Sequence, residues 1–170
     1  MSTFFICYNI IIIGVDIMEK LLKKLDELNI EYKLVNHDAV YTAEEAQKIK
    51  LDIDGVGCKN LFLKSKTNFY LYLVEDNKKA NLKELSNTLE ESKLTFATEE
   101  ELYNKLGLLK GSVTPMGIIN NNGDVIILID YTIKNKKILV HSNTNTATIN
   151  INYEDLIKFI NYFGNKYIEL

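Results

Sequence analysis

The strongest constraint on the fold is a pair of apolar runs, Cys58-Lys59-Asn60-Leu61-Phe62-Leu63-Lys64 and Phe69-Tyr70-Leu71-Tyr72-Leu73-Val74, separated by a break at Thr67-Asn68. Runs of this length and composition read as strands, and the polar break between them reads as a hairpin turn. Other segments carry the same signal. Tyr32, Leu34 and Val35 suggest a short strand, and Val125–Ile129, Ile138–Val140 and Ala147–Ile151 suggest three more. Ile118-Ile119 reads as a further strand, with Asn121-Asn122-Gly123 as the hairpin turn after it.

Helical spacing alternates with these strands. Leu21, Leu22, Leu25 and Leu28 recur with helical period over Met18–Asn29. Thr42-Ala43-Glu44-Glu45 has capping-box spacing and predicts a helix through about Lys50. Leu82, Leu85 and Leu89 mark a helix after Asn81, and Thr98-Glu99-Glu100-Glu101 caps another that ends near Gly107. Leu156, Ile157, Ile160 and Phe163 give a final helix over Tyr153–Phe163 that closes the chain. The fold class expected is mixed α/β of the α+β kind, with short antiparallel strands predominating.

At 170 residues, with 46% apolar and 25% charged side chains, the chain suits one globular domain. The first seventeen residues stand apart. Phe4 to Ile17 is apolar except for Asn9 and Asp16, and the first basic residue is Lys20. The run is too short for a membrane span and lacks the leading positive charge of a signal peptide. The domain is therefore read as residues 18–170, with 1–17 an apolar leader that is either the product of an upstream start or an extra strand.

A net charge of −3 excludes a generally basic, nucleic-acid-coating protein but leaves room for a local lysine patch. All 20 basic residues are lysine. Cys7 and Cys58 form no disulfide framework, and with His37 and His141 as the two histidines a structural zinc site is not expected. A reducing, cytoplasmic setting fits this cysteine usage.

Three places could carry chemistry. Gly111-Ser112-Val113-Thr114-Pro115-Met116-Gly117 holds the one proline, two glycines and two hydroxyls. Such a loop can aim several backbone N–H groups into one concavity, which suits an oxyanion or a phosphate; it can equally be a plain connection. It lacks the Gly-Lys-Ser/Thr of a P-loop. His141-Ser142-Asn143-Thr144-Asn145-Thr146-Ala147-Thr148 follows a strand, where His141 is a general base, a substrate-positioning donor or a satisfied strand-end histidine. Lys59 sits among apolar neighbours, so its ammonium needs a buried partner or an anionic ligand. No nucleophile elbow surrounds Ser112, and no acid is singled out as a partner for His141.

Together these stretches, with Ala39-Val40-Tyr41-Thr42-Ala43-Glu44-Glu45-Ala46, resemble the YbaK/prolyl-tRNA-synthetase-associated editing family, and within it the free-standing Ala-tRNA(Pro) deacylases. They occur in family order and span roughly residues 18–165. The resemblance implies a curved, mostly antiparallel mixed sheet forming a partial barrel flanked by helices. It implies hydrolysis of the ester joining a mischarged amino acid to the terminal adenosine of tRNA(Pro), with no covalent nucleophile, metal or cofactor. Water would be activated with help from the substrate's ribose hydroxyl.

Carried onto this sequence, the resemblance makes Lys59, Gly111 and His141 the catalytic residues. Lys59 contacts the terminal phosphate or orients the ester, and the loop from Gly111 receives the carbonyl oxygen. Ser112, Val113, Thr114, Pro115, Met116, Gly117, Asn60, Asn145 and Thr146 complete the substrate site. Ser142 stands where the family often has proline. The implied partners are the 3′ acceptor end of tRNA(Pro) carrying alanine and, transiently, prolyl-tRNA synthetase, with no membrane. Alternatives within the reading are Cys-tRNA(Pro), a serine or threonine ester, or a tRNA-end-binding module without hydrolysis.

An editing role has a physical rationale. A pocket built for proline cannot strongly exclude alanine, because each missing methylene is worth only about 1–3 kcal/mol. A second, smaller pocket corrects the error by size. Lys59, Lys64 and Lys66 could attract a tRNA end locally without broad phosphate binding.

Overall fold

The structure, a computed structural model, describes residues 16–40, 45 and 52–170. Apart from Glu45, the helix expected over Thr42–Lys50 lies outside these, as does most of the apolar leader. Helix α1 occupies 16–27 and includes Asp16 and Ile17, two residues ahead of the expected start at Met18. Leu21 and Leu25 on its inner face are fully buried.

Strands β1 (Lys33–Asn36), β2 (Val56–Lys64) and β3 (Phe69–Glu75) come next, followed by helix α2 (Leu82–Thr88), strand β4 (Thr95–Phe96) and helix α3 (Glu99–Leu106). After a 3₁₀ helix over Pro115–Asn120 come β5 (Val125–Ile129), β6 (Lys137–His141), β7 (Ala147–Asn152), helix α4 (Tyr153–Phe163) and β8 (Tyr167–Glu169).

The helices begin and end where local chemistry demands. Asn81 caps α2 by accepting from the Glu84 N–H at 3.2 Å. Thr98 and Glu101 close a reciprocal capping box on α3, which ends at Gly107 with φ of 65°. Gly164 ends α4 in the same left-handed conformation, which glycine adopts without steric penalty.

The sheet is open and mixed, in the order β1-β7-β6-β2-β3-β5-β8, with β4 on β2. The β2/β3 hairpin runs from Cys58 opposite Glu75 to Lys64 opposite Phe69. Its turn is fixed by the Ser65 hydroxyl, which accepts from the N–H groups of Thr67 and Asn68. β1/β7, β6/β7 and β2/β4 are also antiparallel, whereas β2/β6, β3/β5 and β5/β8 are parallel.

Alternation along the strands divides the apolar residues between two faces. Phe62, Leu71, Leu73, Val125 and Ile127 join the larger core with α1 and α4, while Leu63, Tyr70, Tyr72, Val74 and Leu128 form a smaller one with Leu85 of α2.

Three expectations are corrected. Ile118 and Ile119 are not a strand but part of the 3₁₀ helix, started by Pro115 at its first position and capped by the Thr114 hydroxyl. Asn121-Asn122-Gly123 is consequently no hairpin turn. It is a local turn in which the Asn121 side chain accepts from the N–H groups of Gly123 and Val125. β5 pairs in parallel with β3 instead. Helix α4 also does not close the chain, because β8 follows it and adds to β5.

Candidate functional site

The site arises where β2 changes partner. On the side away from β3, β2 pairs with β6 at Val56 and Gly57 and with β4 at Leu63 and Lys64. Between these points β2 and β6 part company. Their parallel register ends with Gly57 opposite Leu139, so Lys59 and His141 each stand two residues beyond the last pair. Alternation places both on the same face of their strands as that pair. Gaps at the carboxyl ends of parallel strands are common ligand sites in mixed sheets.

The loop from Gly111 to Thr114 is fastened to both strands. Asn60 Nδ2 donates to the Val113 carbonyl at 3.2 Å. Thr114 Oγ1, fully buried, donates to the His141 carbonyl at 2.7 Å. Gly111 has a φ of 87°, a conformation side-chain-bearing residues resist. Ser112 is buried, and its N–H and hydroxyl both donate to the Leu109 carbonyl. Pro115, Met116 and Gly117 are buried in the 3₁₀ helix, which makes them the loop's anchor rather than its reactive surface. A Cβ at Gly117 would lie 2.6 Å from Leu108 Cδ1. Among the described residues, the N–H groups of Gly111, Val113 and Thr114 find no backbone acceptor. Such donors are what an oxyanion requires.

His141 lies against His37, with ring centroids 6.0 Å apart. Burial, reinforced by His37, lowers its pKa to about 4, so the imidazole is neutral at pH 7. Its Nδ1 is buried without a hydrogen-bond partner among the described residues, as is Asn143 Oδ1. Asn143 takes a left-handed conformation with φ of 63°, and its Nδ2 donates to the Met116 carbonyl at 3.3 Å. Asn145 and Thr146 act through their backbone: their carbonyls accept from the N–H groups of Val40 and His37. His37 Nε2 lies 2.9 Å from Thr148 Oγ1.

Lys59 Nζ donates to the Asp76 carbonyl at 3.1 Å, which takes one of its three donors. Lys59 and Asn60, adjacent in sequence, face opposite sides of β2, and it is Asn60 that bonds to the loop. Lys64 is engaged with Glu101 at 2.6 Å. The Cys58 thiol, beside Lys59, is pushed up to about 12 by burial, far from a nucleophilic thiolate. With the Ser112 hydroxyl turned to a carbonyl, neither residue is set up for covalent attack.

Asn60, Gly111 and Val113 also border a cleft of about 320 Å³ with Phe62, Phe96 and Leu102. His141, Lys59, Asn145 and Thr146 do not line it. His37 and Asn143 are neighbours of His141 that the sequence does not single out as site residues. The coincidence of the two histidines was open to a reader of the sequence only as a pair of motif neighbours, His37 before Ala39 and His141 at the head of its turn. No group of three His, Cys, Asp or Glu side chains suited to a metal occurs among the described residues. No helix among them is long and apolar enough to cross a membrane.

Comparison with known proteins converges on one family. Residues 37–159 match the model of the aminoacyl-tRNA editing domain. The chain is 38% identical over 161 residues to the prolyl-tRNA editing protein ProX of Acetoanaerobium sticklandii, covering 91% of this chain and 98% of that one. It is 31% identical to prolyl-tRNA synthetase associated domain-containing protein 1 of Mus musculus, covering 89% and 94%. A crystal structure of a candidate trans-editing enzyme for prolyl-tRNA synthetase shares the fold with a TM-score of 0.69 at 22% identity, covering 91% of this chain and 96% of that one. With a strand split, a pinned Gly…Pro loop and this similarity along most of its length, the chain belongs to the aminoacyl-tRNA editing domain family.

Proposed function

We propose that the protein is a trans-editing deacylase that hydrolyses alanine from mischarged tRNA(Pro), releasing alanine and free tRNA(Pro). The observation that carries this reading is the Gly111–Thr114 loop, fastened at one end of the strand split by Asn60 and at the other through the His141 carbonyl. The similarity to ProX over 98% of that protein supports the tRNA(Pro) ester as substrate.

In this reading the ester carbonyl oxygen meets the free N–H groups of the loop. Water adds to the carbonyl carbon, the C–O bond to the ribose breaks, and the ribose oxygen takes up a proton. Lys59 orients the ester or the terminal phosphate from the facing strand. Neutral His141 walls the amino-acid end without repelling the substrate's ammonium, and Asn145 and Thr146 hold that wall to the 37–40 segment. Transient association with prolyl-tRNA synthetase, in the cytoplasm, would bring enzyme and mischarged product together.

The purified chain should release alanine from Ala-tRNA(Pro) and leave Pro-tRNA(Pro) intact. Lys59→Ala should lower kcat/KM by about 10²-fold, the scale of losing one electrostatic contact to the reacting group. Running the same tRNA charged with cysteine, serine and threonine in parallel fixes the amino acid. Preferential hydrolysis of Pro-tRNA(Pro), or tRNA binding with no hydrolysis of any ester, overturns the proposal.

A further inference from the structure

The cleft beside the loop is the wrong size and character for the alanine sieve. At about 320 Å³ it falls at the lower end of the roughly 300–1,000 Å³ typical of small-molecule sites. A pocket that must admit a methyl and refuse proline has to be far smaller. His141, the expected wall of the amino-acid pocket, does not line it. Yet Gly111 and Val113 of the pinned loop, and Asn60 that pins it, all line the cleft, so whatever fills the cleft is continuous with the group reacting at the loop.

The lining says what that occupant is. Its floor is apolar: Phe62 and Leu102 are buried, and the Phe62 ring is backed by Phe69 in a stacked arrangement at 5.6 Å. Phe96, at the end of β4, is 61% exposed on the rim. The first turn of α3 brings Glu99, Glu100 and Glu101, and its capping box is already closed by Thr98 and Glu101, so no anion is invited there. The cation on the rim, Lys110, pairs with Glu99 at 3.0 Å in an exposed contact that an outgoing phosphate can displace. An apolar, aromatic-edged slot without a fixed cation suits a flat neutral ring rather than a phosphate or a carboxylate.

From this geometry we infer that the cleft holds the unpaired 3′-terminal nucleobase of the aminoacyl-tRNA, stacked against Phe96. The inference rests on the deacylase reading and adds to it the subsite that positions the ester. It separates two tasks on two sides of the loop: the base is gripped between β4 and α3, and the amino acid is sized near His141. Grip on the base is common to every tRNA end, so it contributes affinity and leaves discrimination to the other pocket.

The chain contains no tryptophan, so Phe96→Trp places a single reporter indole at the rim. Uncharged tRNA(Pro) should quench its fluorescence, and the same tRNA shortened by its 3′-terminal nucleotide should not. In deacylation, Phe96→Ala should raise KM about tenfold, on the scale of one lost base–aromatic stack, with kcat little changed, and Phe96→Trp should restore KM. Equal quenching by the two tRNAs, quenching by neither, or an unchanged KM in Phe96→Ala overturns the assignment. Quenching is read without hydrolysis. A wild-type protein that fails to deacylate Ala-tRNA(Pro) therefore overturns the deacylase reading, while the two quenching curves still decide the cleft.

Discussion

Thr114 is the residue on which the site's geometry turns. Its hydroxyl is wholly buried, donates to the His141 carbonyl and accepts from the Met116 N–H. Thr114→Val keeps the volume but removes the donor to the part-buried His141 carbonyl and the acceptor of the buried Met116 N–H, at a cost of about 1–3 kcal/mol. Thermal unfolding should show that loss, and the deacylation rate should fall by more than stability alone explains, because the loop and β6 lose their tie. His141 sets a pH dependence. Its pKa in the folded state, about 4, lies below the usual histidine value of about 6.5. As pH falls below about 6.5, the unfolded chain takes a proton that the folded chain refuses, so stability declines progressively until about pH 4. His141→Asn should flatten that decline in a pH series of denaturation curves. The variant's pH–rate profile, scaled to its own maximum, should depart in shape from that of wild type only on approaching pH 4.

At the scale of elements, the loop and the 3₁₀ helix behind it depend on two glycines for different reasons. Gly111 needs its left-handed backbone, so Gly111→Ala should cost about 1–2 kcal/mol and re-aim the loop amides, cutting deacylation sharply. Gly117 needs space instead. Its Cβ would press on Leu108, itself buried, so Gly117→Ala should destabilise by about 1–3 kcal/mol. In a chain of this size each kcal/mol is worth about 2–4 °C in Tm, which calorimetry resolves. The same segment shows why the strand reading of Ile118-Ile119 failed. Two branched apolar residues signal burial in either geometry, and the Thr114-Pro115 start, which favours a helical turn, decided between them. The caps at Asn81 and Thr98 and the hairpin turn at Ser65–Asn68 were legible because each acts within a few residues of itself.

Across the whole molecule, Asp130 joins parts that are remote in sequence. It is buried and accepts from Tyr72 at 2.6 Å, Lys78 at 2.7 Å and the Thr132 hydroxyl at 2.7 Å. Burial would raise its carboxyl, but these donors outweigh that and hold it down at about 2. A carboxylate whose folded pKa is depressed stabilises the fold above its unfolded value of about 3.9, and that contribution is lost as pH falls toward 2. Asp130→Asn should therefore be less stable than wild type at pH 7 by about 1–3 kcal/mol, with the difference narrowing below about pH 4 in acid-unfolding curves.

The amino-acid sequence by itself determined the elements with short-range signatures: the amphipathic helices, their caps, the β2/β3 hairpin and the glycine-and-proline loop. It also carried the family resemblance, because motif order survives in one dimension. Tertiary structure alone decided which strands lie together. The parallel pairings of β2 with β6 and β3 with β5 join segments more than fifty residues apart, and no turn residue announces them. The placement of Lys59 and His141 across the split follows from β2 pairing with β6, the meeting of His37 with His141 from β1 and β6 both pairing with β7, and the cleft beside Phe96 from β4 pairing with β2. Each depends on which apolar faces bury one another, a choice made by the whole chain at once rather than by any local run of residues.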